Sequence, residues 1–322
     1  MVAPTVTLYN GFEMPVLGLE TWLTEGDSLV DAVKDAIDLG YRMFDTSRFY
    51  CNEKELGKGI RAKIREGVVR REDIIVITKL WNTHHDPDVV ERACKYSCEE
   101  LGLDYIDLYL MQSPMGYAYR GETDHDLWPE HADGSLVFSD VDYVDTYKAM
   151  EQLLVTGMVR NIGVSNFNSQ QIDRLLANCS IKPVVNQVEV GPSRTQKKLI
   201  QFCMNRGIHI IGFSPLGRPH YAIYPDLPKL AFLDDRVIAI GNKYGKTGAQ
   251  VVLRYLSQLG VALIPKSINQ ERLSENINIF DFELNDNEMA VMESFNTGKR
   301  ALPMKYQSFN FNHKYFPYDA EF

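Results

Sequence analysis

The stretch Ile74-Ile75-Val76-Ile77-Thr78-Lys79 sets four aliphatic residues in a row and then turns polar. Apolar residues in unbroken succession mark a strand buried on both faces, as in a parallel sheet covered by helices. Seven other short apolar runs recur along the chain: Leu17–Trp22, Arg42–Thr46, Ile106–Met111, Val159–Val164, Pro183–Val188, Ile208–Phe213 and Val261–Ile264. Five of the seven intervals between their starts are 24–32 residues, and the other two are 53. About 30 residues is the size of one strand–helix unit, so the long intervals read as units carrying insertions, Ser113–Asp140 and Pro215–Pro228.

Helix signals fill the gaps. Apolar residues recur at helical period over Asp27–Leu39 and stop at Gly40, a C-cap residue type. Asp86-Pro87 opens a second helix, Asn168-Ser169-Gln170-Gln171 a third, and Thr195–Cys203 forms a fourth. Eight such units predict a (β/α)8 TIM barrel in a single domain, 1–322, rather than an open doubly wound sheet. Ahead of the barrel, Thr5–Tyr9 and Phe12–Val16 flank Asn10-Gly11, which predicts a hairpin with a type I′ turn placed under the barrel. Behind it, Ala301–Phe322 is rich in aromatics (Tyr306, Phe309, Phe311, Tyr315, Phe316, Tyr318, Phe322) without any period. Such a tail either packs on the barrel wall or covers a pocket for an apolar ligand.

The chain has 322 residues, 45% hydrophobic and 24% charged, which excludes a disordered or fibrous protein. A net charge of -9 argues against a nucleic-acid binder, which would need a basic footprint. No run approaches the ~18 apolar residues of a membrane span, and the first residues do not resemble a signal peptide. Five cysteines, odd in number and without metal spacing, fit a reduced, cytoplasmic setting, with monomer as the default state. Cys94 and Cys98, one helical turn apart, read as small buried hydrophobes.

In a barrel of this kind chemistry sits at the C-terminal ends of the strands. There the runs carry polar residues that burial alone does not call for: Asp45, Tyr50, Lys79, Gln112, Asn166, Gln187, Ser214 and Lys266. The group Asp45, Tyr50 and Lys79 suits proton transfer. A lysine ammonium beside a phenol favours the phenolate and lowers its pKa from ~10, while an aspartate keeps the lysine charged. That arrangement makes a general acid for a carbonyl oxygen without a metal. The same residues are equally readable as an Asp–Lys ion pair that bridges two strands.

The segments Gly40-Tyr41-Arg42-Met43-Phe44-Asp45-Thr46, Phe49-Tyr50-Cys51-Asn52-Glu53, Thr78-Lys79-Leu80-Trp81 and Leu101-Gly102-Leu103-Asp104-Tyr105-Ile106-Asp107 resemble those of the aldo-keto reductases. So do Gly163-Val164-Ser165-Asn166-Phe167-Asn168, Asn186-Gln187-Val188-Glu189 and Ile264-Pro265-Lys266-Ser267, followed by Arg272, Glu275 and Asn276. The resemblance spans nearly the whole chain in order and implies NADPH-dependent reduction of an aldehyde or ketone. Within it, Tyr50 is the expected general acid, Lys79 its neighbour, Asp45 the holder of that lysine, and Gln112 the fourth catalytic position. Thr21 and Trp22 are expected at the cofactor, with Ser165, Asn166 and Gln187 on the nicotinamide carboxamide and Phe213 stacked on its ring. Ser214 and Leu216 are expected at the pyrophosphate, Lys266, Ser267 and Arg272 at the 2′-phosphate, and Glu275 and Asn276 at the adenine. Trp22, Trp81 and Tyr117 offer an apolar wall for a bulky substrate, a steroid or isoprenoid carbonyl, with an ecdysteroid ketone as one candidate.

Three positions depart from the family pattern. Gln112, in Leu110-Met111-Gln112-Ser113-Pro114, replaces a histidine, so it can donate through its amide but cannot titrate. Glu20 stands where glycine is common, and Met43 where histidine is common, the latter read as packing. Gln112 also supports an alternative, a non-catalytic NADPH-binding barrel acting as a sensor or structural protein. His84-His85-Asp86 and His125-Asp126 are read as solvated loop residues, with no metal expected.

Overall fold

The computed structural model describes residues 2–218, 227–301, 312–320 and 322. Eight parallel strands follow one another around the sheet in chain order: β3 (Leu19–Glu20), β4 (Met43–Asp45), β5 (Ile75–Leu80), β6 (Leu108–Met111), β7 (Ile162–Ser165), β8 (Val185–Glu189), β9 (His209–Phe213) and β10 (Ala262–Ile264). Every one lies within or beside one of the eight apolar runs. The seam between the last strand and the first is closed by bridges Leu17↔Leu263 and Glu20↔Lys266 and by Gly18 N donating to Leu263 O at 2.8 Å. The chain is thus a (β/α)8 barrel.

Helices cover its outside: α1 (Gly26–Leu39), α2 (Glu53–Arg65), α3 (Pro87–Leu101), α4 (Tyr143–Thr156), α5 (Ser169–Leu176), α6 (Lys197–Met204), α7 (Asp235–Tyr244), α8 (Gly248–Gln258), α9 (Gln270–Ile277) and α10 (Asp286–Glu293). Their ends obey the sequence signals. Gly40 takes φ 104°, where a side chain would be strained, and so ends α1. Asp86 caps α3 with Pro87 in its first turn, and Asn168 with Gln171 forms a reciprocal cap on α5. The strand interiors make a small inner core (Met43, Ile77, Leu108, Leu110, Val185, Ile211, Ile264), and their outer faces join the helices in a larger one that holds Cys94 and Cys98.

The hairpin strands, β1 (Thr5–Thr7) and β2 (Glu13–Pro15), lie under the barrel, where Leu8 and Met14 plug the inner core and Asn10 Nδ2 donates to Asn161 Oδ1 at 2.7 Å. The turn differs from the type I′ expectation. Leu8 N donates to Phe12 O and Gly11 N to Leu8 O, a three-residue loop in which Gly11 (φ 83°), but not Asn10, is left-handed. A type I′ turn needs both residues at positive φ; here one glycine suffices.

The insertion after β6 folds back on itself through the pairs Tyr117↔Phe138 and Glu130↔Leu136. Buried Arg48 fastens it to the turn that follows β4, donating to Asp124 Oδ1 at 2.7 Å and Glu122 O at 2.9 Å. In the insertion after β9, residues 219–226 lie outside the described part, as do Tyr306, Phe309 and Phe311 of the tail. Of the tail, residues 312–320 and 322 are described: Tyr318 OH donates to Asn166 Oδ1 at 3.0 Å, and Phe322 O accepts from Ser169 N, at the start of α5, at 3.0 Å.

Candidate active site

A cavity of about 310 Å3 opens at the C-terminal ends of the strands. Its wall includes Trp22, Tyr50, Trp81, Gln112, Tyr117, Ser165, Asn166, Gln187 and Phe213 of the residues singled out in the sequence. Tyr50 stands on a one-turn 3-10 helix, Arg48–Tyr50, because Ser47 caps that turn by accepting from Phe49 N. Its ring meets Trp22 edge-on with centroids 4.7 Å apart.

Asp45 and Lys79 lie behind the cavity wall at the ends of β4 and β5, neither more than 1% exposed. Lys79 Nζ donates to Asp45 Oδ1 at 2.6 Å and to Thr46 O at 2.7 Å, and lies 5.2 Å from the centre of the Tyr50 ring. Gln187 Nε2 donates to the other carboxylate oxygen, Oδ2, at 2.6 Å. Burial pushes the Asp45 carboxyl up, against the pull of the lysine. The Tyr50 phenol contradicts the expected lowering. Burial pushes it well up, and Glu20 and Asp45 add to the rise. The lysine's charge is spent on Asp45, while two carboxyl groups face the phenol, so Tyr50 holds its proton at neutral pH.

Gln112 follows β6, and its Oε1 accepts from Ser47 Oγ at 2.5 Å. With the carbonyl end so occupied, the amide NH2 is the end left for the cavity. The side chain shares the cavity wall with Tyr50. Asn166 has a left-handed backbone (φ 63°), rare for a non-glycine residue. Its Nδ2 donates to Gln112 O at 2.9 Å, and its Oδ1 accepts from Tyr318 OH at 3.0 Å. Ser165 Oγ donates to Gln187 O at 2.9 Å. These bonds order one polar rim across β6, β7 and β8.

The remaining expected cofactor positions lie away from this cavity. Thr21 is buried behind it, its N donating to Asp45 O. Ser214 and Leu216 line a separate hollow with Lys229. Lys266 and Arg272 are exposed, Ser267 is buried between them, and Asn269 Oδ1 caps α9 through Arg272 N. Glu275 borders another hollow, at the α8–α9 side, and Asn276 is buried.

Several wall residues were not singled out. Phe49 stacks on Trp81 at 3.9 Å between ring centres and 11° between planes, with Trp128 of the insertion 5.7 Å from Phe49. Trp81 Nε1 donates to Leu127 O at 2.6 Å, and Tyr117 stands edge-on to Trp81. Tyr318 of the tail lines the same cavity, and Tyr315 and Phe322 pack on the outer core. Phe49 adjoins Tyr50 in the quoted motif and was within reach; Trp128 and Tyr318 carried no periodic signal. Glu20 also lines the cavity, 8% exposed, with its carboxyl pushed up to about 7 by burial and by Asp45. Met43 packs in the inner core as expected. His84 and His85, expected in solvent, are buried: His84 Nε2 lies 3.1 Å from Glu122 Oε2, and His85 is fully enclosed. Among the described residues no group of three or more His, Cys, Asp or Glu is placed to hold a metal ion, and no helix is long and apolar enough to cross a membrane.

Comparison with known proteins places this geometry. The Aldo/keto reductase family model matches residues 16–297. Aldo-keto reductase family 1 member A1-A of Danio rerio is 43% identical over 297 residues, 92% of this chain and 90% of that protein. A Bombyx mori aldo-keto reductase solved in complex with NADP superposes with TM-score 0.87 at 36% identity, covering 98% of this chain and 99% of the other. The aldose reductase of Schistosoma japonicum gives TM-score 0.90 at 34% identity, covering 99% of both chains.

Proposed function

Because the chain belongs to the aldo/keto reductase family and is therefore an NADP-dependent oxidoreductase, we propose that it reduces a bulky, hydrophobic aldehyde or ketone with Tyr50 as proton donor. The single observation that carries the reading is Tyr50 lining one cavity together with Trp22, Phe49, Trp81, Tyr117 and Trp128. That wall favours a steroid or isoprenoid carbonyl over a small polar sugar, because flat apolar surface gains most from covering aromatic faces.

The side chains present fit NADPH. Ser165, Asn166 and Gln187 offer amide and hydroxyl groups at the cavity rim, and Phe213 offers a partly exposed ring face. Arg272 stands in the first turn of α9 and Lys266 in the loop before it, two cations suited to a phosphate. NADPH supplies the hydride. The protein's part is to place the carbonyl oxygen at Tyr50, with the Gln112 amide as a second donor, and to exclude water behind the aromatic wall. A phenol held protonated at neutral pH gives its proton only when the oxygen becomes strongly basic, late in hydride transfer, which couples the two events. Asp45 keeps the Lys79 ammonium fixed and Gln187 oriented. The free cysteines fit the reduced, cytoplasmic setting expected from the sequence.

The test is NADPH oxidation followed by absorbance, against simple aldehydes, steroid ketones and isoprenoid aldehydes, with Tyr50→Phe alongside. Turnover of a large apolar carbonyl, lost by at least ~100-fold in Tyr50→Phe while NADPH still binds, is the expected outcome. NADPH binding without oxidation by any carbonyl makes the chain a cofactor-binding barrel instead.

A further inference from the structure

Glu20 has no part in the mechanism above, yet it is the one carboxyl among the described residues lining the cavity. It ends β3 in register with Asp45 on β4, so the two side chains leave the sheet on the same side. Its carboxyl and the phenol of Tyr50 line the same cavity, and each acts electrostatically on the other. The charged groups that face it are Asp45 from β4, Lys79 from β5 and Arg218 from the loop after β9. Gln112, in the same cavity wall, is an amide and cannot take up or release a proton.

We propose that Glu20 is the proton reservoir of this site, a positioning residue that acts through Tyr50 by returning a proton to it after each turnover. The inference rests on the reductase reading. In the reduction, hydride adds two electrons to the carbonyl carbon, the C=O π pair moves to oxygen, and the Tyr50 O–H bond breaks to protonate that oxygen. Tyr50 is left as phenolate beside the Glu20 carboxyl. The carboxyl O–H then breaks, its proton passes to the phenolate, and Glu20 becomes a carboxylate that regains a proton from solvent. The transfer runs downhill, because burial raises the phenol well above its usual range whereas the Glu20 carboxyl sits near neutrality. Glu20 is 8% exposed, enough to exchange protons with the cavity mouth. A titratable group thus reaches Tyr50 from β3, while position 112 keeps only a donor.

The experiment compares wild type, Glu20→Gln and Glu20→Gly with one turned-over carbonyl across acid, neutral and alkaline pH. Glu20→Gln keeps the shape and polarity of the side chain but holds no exchangeable acid proton. We expect its kcat to fall about 100-fold with KM little changed, the lower end of what a positioned proton-transfer group contributes. Wild-type kcat should decline as pH rises through about 7, an inflection that Glu20→Gln lacks. Acetic acid should restore turnover to Glu20→Gly in proportion to its concentration, which a merely structural role would not allow. Infrared difference spectra should show a protonated carboxyl band that titrates near neutrality and vanishes in Glu20→Gln, whether or not cofactor is bound. An active wild type whose kcat and pH profile survive in Glu20→Gln overturns this proposal alone. A wild type silent toward every carbonyl overturns the reductase reading together with it.

Discussion

Lys79 and Asp45 form a buried ion pair, Nζ to Oδ1 at 2.6 Å, with side-chain exposures of 1% and 0%. The lysine is therefore a fixed cation rather than a mobile one, and its nearest negative charge is the carboxylate rather than the phenol. Removing one partner of such a pair leaves an uncompensated charge in the interior, which costs about 3–5 kcal/mol. Asp45→Asn should lower the free energy of unfolding by that order in denaturant titration. It should also weaken turnover more than cofactor affinity, because the same carboxylate orients Gln187.

Ser47 sets the orientation of Gln112. Its hydroxyl donates to Gln112 Oε1 at 2.5 Å and accepts from Phe49 N at 3.2 Å, so one side chain caps the Tyr50 turn and fixes the amide. Gln112→Leu removes the second donor to the carbonyl oxygen and should cost about 100-fold in kcat, as loss of one oxyanion-type donor does. Ser47→Ala leaves the amide free to flip and should cost less, about tenfold, the worth of one neutral hydrogen bond. Steady-state kinetics of the two variants would show the order; equal losses would mean that Ser47 acts mainly through Tyr50.

The Glu20 carboxyl makes stability depend on pH in a stated direction. Its folded pKa, about 7, lies above the ordinary 4.5, so between these values the folded state binds more protons than the unfolded one. The contribution is whole below 4.5 and is lost as pH rises through 7. At ~1.4 kcal/mol per pKa unit the loss is roughly 3 kcal/mol. Glu20→Gln should gain stability relative to wild type by about that amount on going from acid to alkaline pH, read from thermal melts at the two ends. A constant difference would place the carboxyl in contact with solvent.

Arg272 bears on cofactor choice. It is exposed on the first turn of α9, after Lys266, where a phosphate would meet both cations and the helix N-terminus. A hydrogen bond to a charged group contributes about 1.5–3 kcal/mol. Arg272→Ala should therefore weaken NADPH binding about 10- to 100-fold and leave NADH binding nearly unchanged. Fluorescence titration with the two cofactors gives the comparison.

Parts of this protein are written locally in its sequence. Eight short, largely apolar runs, five of their seven intervals 24–32 residues long, specify parallel strands buried on both faces, because a strand covered by helices outside and packed inside has little solvent face to mark with polar residues. Caps such as Asp86 and Asn168 are likewise local, since the hydrogen bond they make closes within three residues. The approach of Asp45, Tyr50 and Lys79 also followed once strand ends were known. What only the tertiary structure decided is which neighbours those groups keep. Glu20 meets Tyr50 because β3 pairs in register with β4 and the seam closes against Lys266, 246 positions further along the chain. The pairing of β4 with β5 ties Lys79 to Asp45, and the phenol is left among carboxyls, reversing the pKa shift expected from residue types alone. Trp128 and Tyr318 reach the cavity from segments without periodicity, held by single contacts such as Arg48 to Asp124 and Tyr318 to Asn166. Periodicity reports the face a residue buries, whereas electrostatics depends on distances that exist only after the barrel has closed.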